Sequence, residues 1–227
     1  MNVAIDGPAG AGKSTIARRV AESLGSIYID TGAMYRAMAF HMVETGIDPE
    51  DEASVIRALP DVSIGISHTN GEQHVILNGK DVTPWLREER VGNMASRISR
   101  IPEVRTKLVA LQQEIARKQP VVMDGRDIGT VVLPDAECKI FLTASAAVRA
   151  DRRYRELLEK QGKDPALDWD PEERRVIEEE IIERDKKDMT RAASPLRMAD
   201  DAVCVDSSDL SIEEVTRKIL ELAGRNV

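Results

Sequence analysis

Val3-Ala4-Ile5-Asp6-Gly7-Pro8-Ala9-Gly10-Ala11-Gly12-Lys13-Ser14-Thr15-Ile16-Ala17 reads as a short apolar run, a glycine-rich turn and the opening of a helix. Its middle, residues 7–14, fits G-x-x-x-x-G-K-[ST]. The context matters as much as the pattern. Glycines admit backbone conformations closed to other residues, so successive N–H groups can turn inward toward phosphate oxygens. A helix N-terminus adds unpaired N–H groups and a partial positive charge. Lys13 can then reach the β/γ-phosphates, and the Ser14 hydroxyl can ligate Mg²⁺. The stretch Gly7, Pro8, Ala9, Gly10, Ala11, Gly12, Lys13, Ser14 and Thr15 is expected to hold a nucleoside triphosphate.

Working outward, buried-strand runs fall at 2–6, 27–30, 121–124, 138–142 and 202–206, and helical patterns at 14–24, 33–45, 103–118, 145–160, 172–192 and 211–223. Alternating strands and helices predict an α/β fold: a P-loop NTPase-type parallel five-stranded sheet with helices on both faces. Ligands in such sheets gather at the carboxyl ends of the strands. Between Pro60 and Pro84 the pattern turns short and β-like: Val62 to Ile66, a turn at Thr69-Asn70-Gly71-Glu72, His74 to Leu77, and a tight turn at Asn78-Gly79. Asn-Gly between alternating hydrophobics signals a hairpin, so a small antiparallel β insert is expected, serving as a substrate flap.

The 227 residues allow one good core with a small appended subdomain. The apolar and charged fractions, 42% and 32%, describe a soluble globular protein. No signal peptide opens the chain, and no apolar run approaches a membrane span. A net charge of -8 and 3% aromatics are the wrong balance for nucleic-acid binding. Cys138 and Cys204 sit in strand-like runs without metal-ligand spacing, which predicts buried small hydrophobes in a reducing compartment.

Four constellations stand out. Val121-Val122-Met123-Asp124 is an apolar strand ending in the carboxylate that helps hold a Mg²⁺ shell, with Arg126 and Asp127 in the following loop. Asp30 to Arg36 ends a strand and opens a helix, with Thr31 as its cap. Ile177, Ile181, Arg184, Asp188 and Arg191 share one helical face that begins apolar, so it reads either as entering the site or as carrying a surface ion pair. Arg149, Arg152, Arg153 and Arg155 fall within seven residues of an acidic chain. They read as a cationic flap over polyphosphate or as a basic helix pairing with glutamates.

The phosphate loop, Thr31-Gly-Ala-Met-Tyr-Arg36, Asp124-Gly-Arg-Asp-Ile-Gly-Thr130, Glu183-Arg-Asp up to Arg191, and the β insert together resemble the nucleoside monophosphate kinases. Within that group they are most similar to the bacterial cytidylate kinase family, over essentially the whole chain. The resemblance implies phosphoryl transfer from ATP, with Mg²⁺, to CMP or dCMP. It implies Arg36, Arg126 and Arg191 on the acceptor phosphate, Arg184 and Asp188 on the sugar, and Ser96, Arg105 and Asp127 on the cytosine, with Thr31, Tyr35 and Asp124 in the same site. Catalytic positions are Lys13, Arg126, Arg149 and Arg153, with Arg152 as a substitute lid arginine. Thr31 stands where many members carry Ser and keeps the hydroxyl.

The implied layout is a core of 1–33, 101–148 and 193–227, an acceptor-binding region of 34–100, and a short helical lid with its flanking helices at 149–192. A cytoplasmic monomer with neither nucleic-acid nor membrane partners is expected. Two alternatives remain at this stage: another P-loop small-molecule kinase of the shikimate or dephospho-coenzyme A type, or a non-catalytic nucleotide switch.

Overall fold

Continuous apolar runs form strands buried on both faces, and five of them build the main sheet. In the computed structural model, which describes residues 1–69 and 72–224, these are β1 (Val3–Asp6), β2 (Ile27–Asp30), β6 (Val121–Gly125), β7 (Cys138–Thr143) and β8 (Val203–Asp206). They lie in the order β2-β6-β1-β7-β8, every neighbouring pair parallel. Helices α1 (Lys13–Leu24), α2 (Thr31–Glu44), α5 (Pro102–Lys118), α6 (Ala146–Lys160), α7 (Pro171–Thr190) and α8 (Ile212–Gly224) fall where periodicity predicts them. Two shorter helices, α3 (Glu52–Ala58) and α4 (Glu89–Ile98), were not expected.

Two apolar layers sandwich the sheet. One is formed with α1 and α8, through Ile16, Val20, Val215 and Ile219. The other is formed with α2, α4, α5 and the insert, through Met34, Met38, Ile98 and Leu108. Because β6 lies between β2 and β1, the carboxyl ends of all three come together. Asp30 is in register with Asp124, and Asp6 with Gly125.

The insert is a three-stranded antiparallel sheet of β3 (Ile64–Thr69), β4 (Glu72–Leu77) and the two-residue β5 (Lys80–Asp81). Asn78 and Gly79, at φ of 48° and 82°, make the second turn. The expected turn at Asn70-Gly71 lies outside the described residues. The hairpin docks on the open edge of β2 through side chains. His68 Nε2–H donates to the Tyr28 carbonyl at 2.9 Å, and Gln73 Oε1 accepts from the Asp30 N–H at 2.8 Å. Gln73 Nε2 returns a bond to the Asp30 carbonyl at 3.4 Å.

Three expectations are corrected. Asp30, not Thr31, caps α2, because its carboxylate accepts from the Ala33 N–H at 2.8 Å. Cys204 is exposed, since β8 is an edge strand and alternation turns Val205 inward instead. Helix α7 has no fully buried residue, so its Ile177–Ile181 face packs on α6 without entering the core.

Gly7 sits at φ 150°, and a Cβ there would lie 1.9 Å from the Leu142 carbonyl oxygen on β7. A backbone oxygen in a central strand pair cannot withdraw. Gly7→Ala should therefore destabilise the fold by about 3 kcal/mol or more, measured by denaturant unfolding. A loss near that of an ordinary surface substitution would contradict this packing.

Candidate active site

The phosphate loop joins β1 to α1. Gly10 and Gly12 take left-handed φ of 78° and 87°, and Gly12 immediately precedes the first helical residue, Lys13. Lys13 is buried, and its Nζ donates to the Pro8 carbonyl at 2.7 Å. Burial pushes its pKa down, with Arg126 adding repulsion, while Asp124 and Asp6 oppose the shift. Ser14 and Thr15 open toward solvent.

Beneath the loop, the buried Asp124 accepts from Tyr28 Oη at 2.8 Å and from Ser14 Oγ at 2.9 Å. The Thr31 hydroxyl donates to the Asp124 backbone carbonyl at 2.7 Å. Burial raises the Asp124 pKa, and Asp30 in the neighbouring strand adds to it. Among the described residues no group of three or more His, Cys, Asp or Glu could hold a metal. Mg²⁺ does not need one, because it keeps several waters and takes one or two protein oxygens plus phosphates. The Ser14–Asp124 pair is an all-oxygen donor set of that kind.

Sequence reasoning missed two groups here, Tyr28 and Asp6. Asp6 ends β1 and is buried, with its two oxygens accepting from the Ile128 and Gly129 N–H groups at 2.7 Å each. It clamps the turn Ile128–Val132 that follows Asp127. Burial lifts its pKa to about 6 against those hydrogen bonds, and Asp127 adds to the rise. A carboxylate directly before the glycine loop was the available signal.

A cluster of arginines and carboxylates gathers between α2, α5, the loop after β6 and the end of α7. Arg36 Nη2 pairs with Asp30 at 2.9 Å. Arg126 Nε pairs with Asp188 at 2.8 Å. Arg105 forms a buried ion pair with Asp127, and its guanidinium lies 5.4 Å from the Tyr35 ring centroid. Arg191 Nε donates to the Ser194 carbonyl at 2.7 Å, and its Nη1 is 3.9 Å from Asp188. Arg184 is exposed and lies in the field of Arg126, Asp188 and Arg36. Asp188 thus pairs with Arg126 and Arg191, and the alternative of an Arg184–Asp188 surface pair is not what forms.

Five buried side-chain atoms lack a hydrogen-bond partner among the described residues, and four belong to this cleft: Tyr35 Oη, Arg36 Nε, Arg105 Nε and Arg191 Nη2. Unpartnered buried polar atoms are costly, which makes this cleft the candidate ligand site.

Not every expected residue joins the site. Arg149 does, donating to the Ala9 carbonyl of the loop at 3.0 Å. Arg153 is half exposed and pairs with Glu156 at 3.0 Å. It lies one helical turn, roughly 6 Å, beyond Arg149. Arg152 donates to the Ser207 carbonyl at 2.6 Å, and Arg155 lies over Trp169. Ser96 is exposed on α4, and it is Ser99 whose carbonyl accepts from Arg105 Nη1 at 3.2 Å.

Residues 3–225 match the profile of the family described as Cytidylate kinase. The cytidylate kinase of Caldicellulosiruptor bescii is 50% identical, over 98% of this chain and 95% of its own. That of Carboxydothermus hydrogenoformans is 49% identical over 99% and 98%, and that of Geobacillus kaustophilus 45% identical over 100% and 98%. In structure, an uncharacterized protein from Eubacterium ventriosum shares the fold at a TM-score of 0.52 and 13% identity, covering 99% of this chain and 98% of its own.

The raised Asp6 pKa has a definite sign. The native state holds this proton more tightly than the unfolded chain, so the favourable contribution is complete below the ordinary value of 3.8 and is lost as pH rises through about 6. Asp6→Asn removes the titration. The Tm difference, wild type minus variant, should therefore shrink between pH 4 and pH 7. Thermal melts of both proteins across that range test this, and a constant or growing difference would refute it.

Proposed function

The chain belongs to the cytidylate kinase family and catalyses ATP-dependent phosphorylation of CMP, and we propose that the loop, floor and arginine cleft described above divide that reaction among named residues. The full-length relatives set aside the other P-loop kinases and the non-catalytic switch. Residues 7–15 hold ATP, with Lys13 on the β/γ-phosphates. Ser14 would hold Mg²⁺ directly and Asp124 through water, and the ion would supply positive charge against the polyphosphate. Arg36, Arg126 and Arg191 hold the acceptor phosphate, Arg184 and Asp188 the sugar, and Arg105 with Asp127 the base, dCMP being taken as well as CMP. Ser96, exposed on α4, is read as facing the base with them.

The reading is supported above all by the four unpartnered buried atoms in the acceptor cleft. An acceptor nucleotide supplies the phosphate and base oxygens that those donors lack. The acceptor phosphate is already anionic near neutral pH, so no dedicated base is required. One of its oxygens forms a bond to the γ-phosphorus while the bond from that phosphorus to the β,γ-bridging oxygen breaks, and ADP leaves. What this chain's residues do is hold two polyanions in line against their repulsion. In the same reading, 1–33, 101–148 and 193–227 form the core, 34–100 the acceptor region and 149–192 the lid. In this reading the chain works as a monomer in the cytoplasm, where its nucleotide substrates are available. Among the described residues no helix is long and apolar enough to cross a membrane.

Two measurements test the assignment. Lys13→Ala should lower kcat by about 10²-fold or more with the fold retained by circular dichroism, and an unaltered kcat would remove the loop lysine from the reaction. For the base, cytosine offers a donor at N4 beside an acceptor at N3, and uracil reverses both. The Asp127 acceptor and Arg105 donor match cytosine only, a difference worth about 1–3 kcal/mol, or roughly 5- to 150-fold. Asp127→Asn keeps an oxygen for Arg105 yet should collapse the CMP:UMP ratio of kcat/KM. A ratio equal to wild type would mean that Asp127 does not read the base.

A further inference from the structure

Asp185 stands between the two ligand sites and belongs to neither. It lies on α7, one residue after Arg184 and three before Asp188, so it shares the inward half of the helix with Asp188. Its carboxylate meets Arg149 in a bidentate fork, Oδ1 accepting from Nη1 at 3.1 Å and Oδ2 from Nη2 at 2.5 Å. Arg149 is 4% exposed. Its Nε donates to the Ala144 carbonyl at 2.9 Å, and Nη1 also donates to the Ala9 carbonyl at 3.0 Å. The arginine stem lies against the loop, because a Cβ on Gly10 would come within 3.4 Å of Arg149 Cβ.

Four N–H bonds are therefore placed, one to the phosphate loop, one to the start of the helix and two to Asp185. The backbone carbonyls alone would anchor the guanidinium. What the bidentate carboxylate adds is a fixed plane, and the one remaining Nη2 hydrogen is aimed by it. The other end of the same helical face is Asp188, which holds Arg126 at 2.8 Å in the acceptor cleft. Helix α7 buries no residue fully and packs chiefly on α6. Its second half is held by these ion pairs, by the packing on α6 and by the Leu196 N–H, which donates to the Asp188 carbonyl at 2.8 Å.

We propose that Asp185 is a positioning residue that, through Arg149, couples occupancy of the acceptor cleft to the phosphate-binding loop. An acceptor nucleotide that takes over Asp188 and Arg126 moves α7, and Asp185 carries the movement to Arg149 and so to Ala9 and Gly10. The donor phosphates are gripped fully only when the acceptor is present, which limits transfer to water. This inference rests on reading Arg149 as a donor-side arginine.

The test is a double-mutant cycle of Asp185→Asn, Arg149→Ala and the pair. It is read as kcat and KM for CMP, and as the affinity for adenylyl imidodiphosphate with and without CMP. Asp185→Asn should lower kcat by about 10-fold or more with KM for CMP nearly unchanged, and the double variant should be no worse than Arg149→Ala alone. CMP should tighten analogue binding in wild type by roughly 5-fold or more and leave it unaltered in Asp185→Asn. Should Asp185→Asn fail to fold, Asp185→Glu keeps the buried charge while displacing the fork, and the same loss of coupling is expected. Multiplicative losses in the double variant, or CMP-enhanced binding that survives at residue 185, would overturn the coupling while leaving the site assignment standing. An unchanged kcat in Arg149→Ala would overturn the Arg149 reading itself, and the inference with it.

Discussion

A cleft lined with arginines has to stay folded when the phosphates that would neutralise it are absent. The chain solves this by parking five of the guanidiniums on internal acceptors. Arg36 rests on Asp30, Arg105 on Asp127, Arg126 on Asp188, Arg149 on Asp185 and Arg191 on the Ser194 carbonyl. An unpaired buried charge would cost several kcal/mol. On the proposed assignment ligand binding is an exchange, a phosphate or sugar oxygen for a carboxylate, and its net strength is the difference between two strong sets of contacts. The same exchange gives an acidic protein, with formal net charge -8, a locally cationic interior.

The strand order makes that arrangement compact. With β6 threaded between β2 and β1, the loop after β1, the Asp124 floor and the Asp30 cap occupy adjacent strand ends. Asp6 ties the first of these to the turn carrying Asp127, and Tyr28 ties the second to the sheet. Loop, floor and the turn after Asp127 are thereby cross-linked by buried hydrogen bonds. The α6–α7 pair is joined to them through Arg149 on the Ala9 carbonyl, Arg152 on the Ser207 carbonyl and the Arg126–Asp188 ion pair.

Much of this was legible in the chain. Parallel strands buried on both faces appear as unbroken apolar runs, which is why all five were placed within a residue or two. The glycine-rich loop and the arginines gathered near the strand ends were legible because few other roles call for those residues there. What could not be read is pairing. The i,i+4 spacing of Arg184 and Asp188 is a property of one helix, whereas the partner Asp188 takes, Arg126, lies 62 residues away. Arg149 and Arg153 lie on nearly the same face one turn apart, and contact with Gly10, Ala9 and Asp185 separates the first from the exposed second. Helix α4 carried its own apolar stripe, Val91, Met94, Ala95 and Ile98. Its ten residues were overlooked beside a hairpin signal.

The docking of His68 and Gln73 on β2 bears on how the chain leaves the ribosome. β2 ends at residue 30, and the strand that pairs with it begins at residue 121, roughly ninety residues later. At about 5–20 residues per second of synthesis, β2 waits several seconds for that neighbour. A bare strand edge in the meantime is a template for foreign strands. The hairpin carrying His68 and Gln73 emerges well before residue 121 and occupies the Tyr28 and Asp30 backbone groups on the side that β6 never covers. A side-chain amide here does the work of a sixth strand, closing one border of the sheet while the nascent chain is still incomplete.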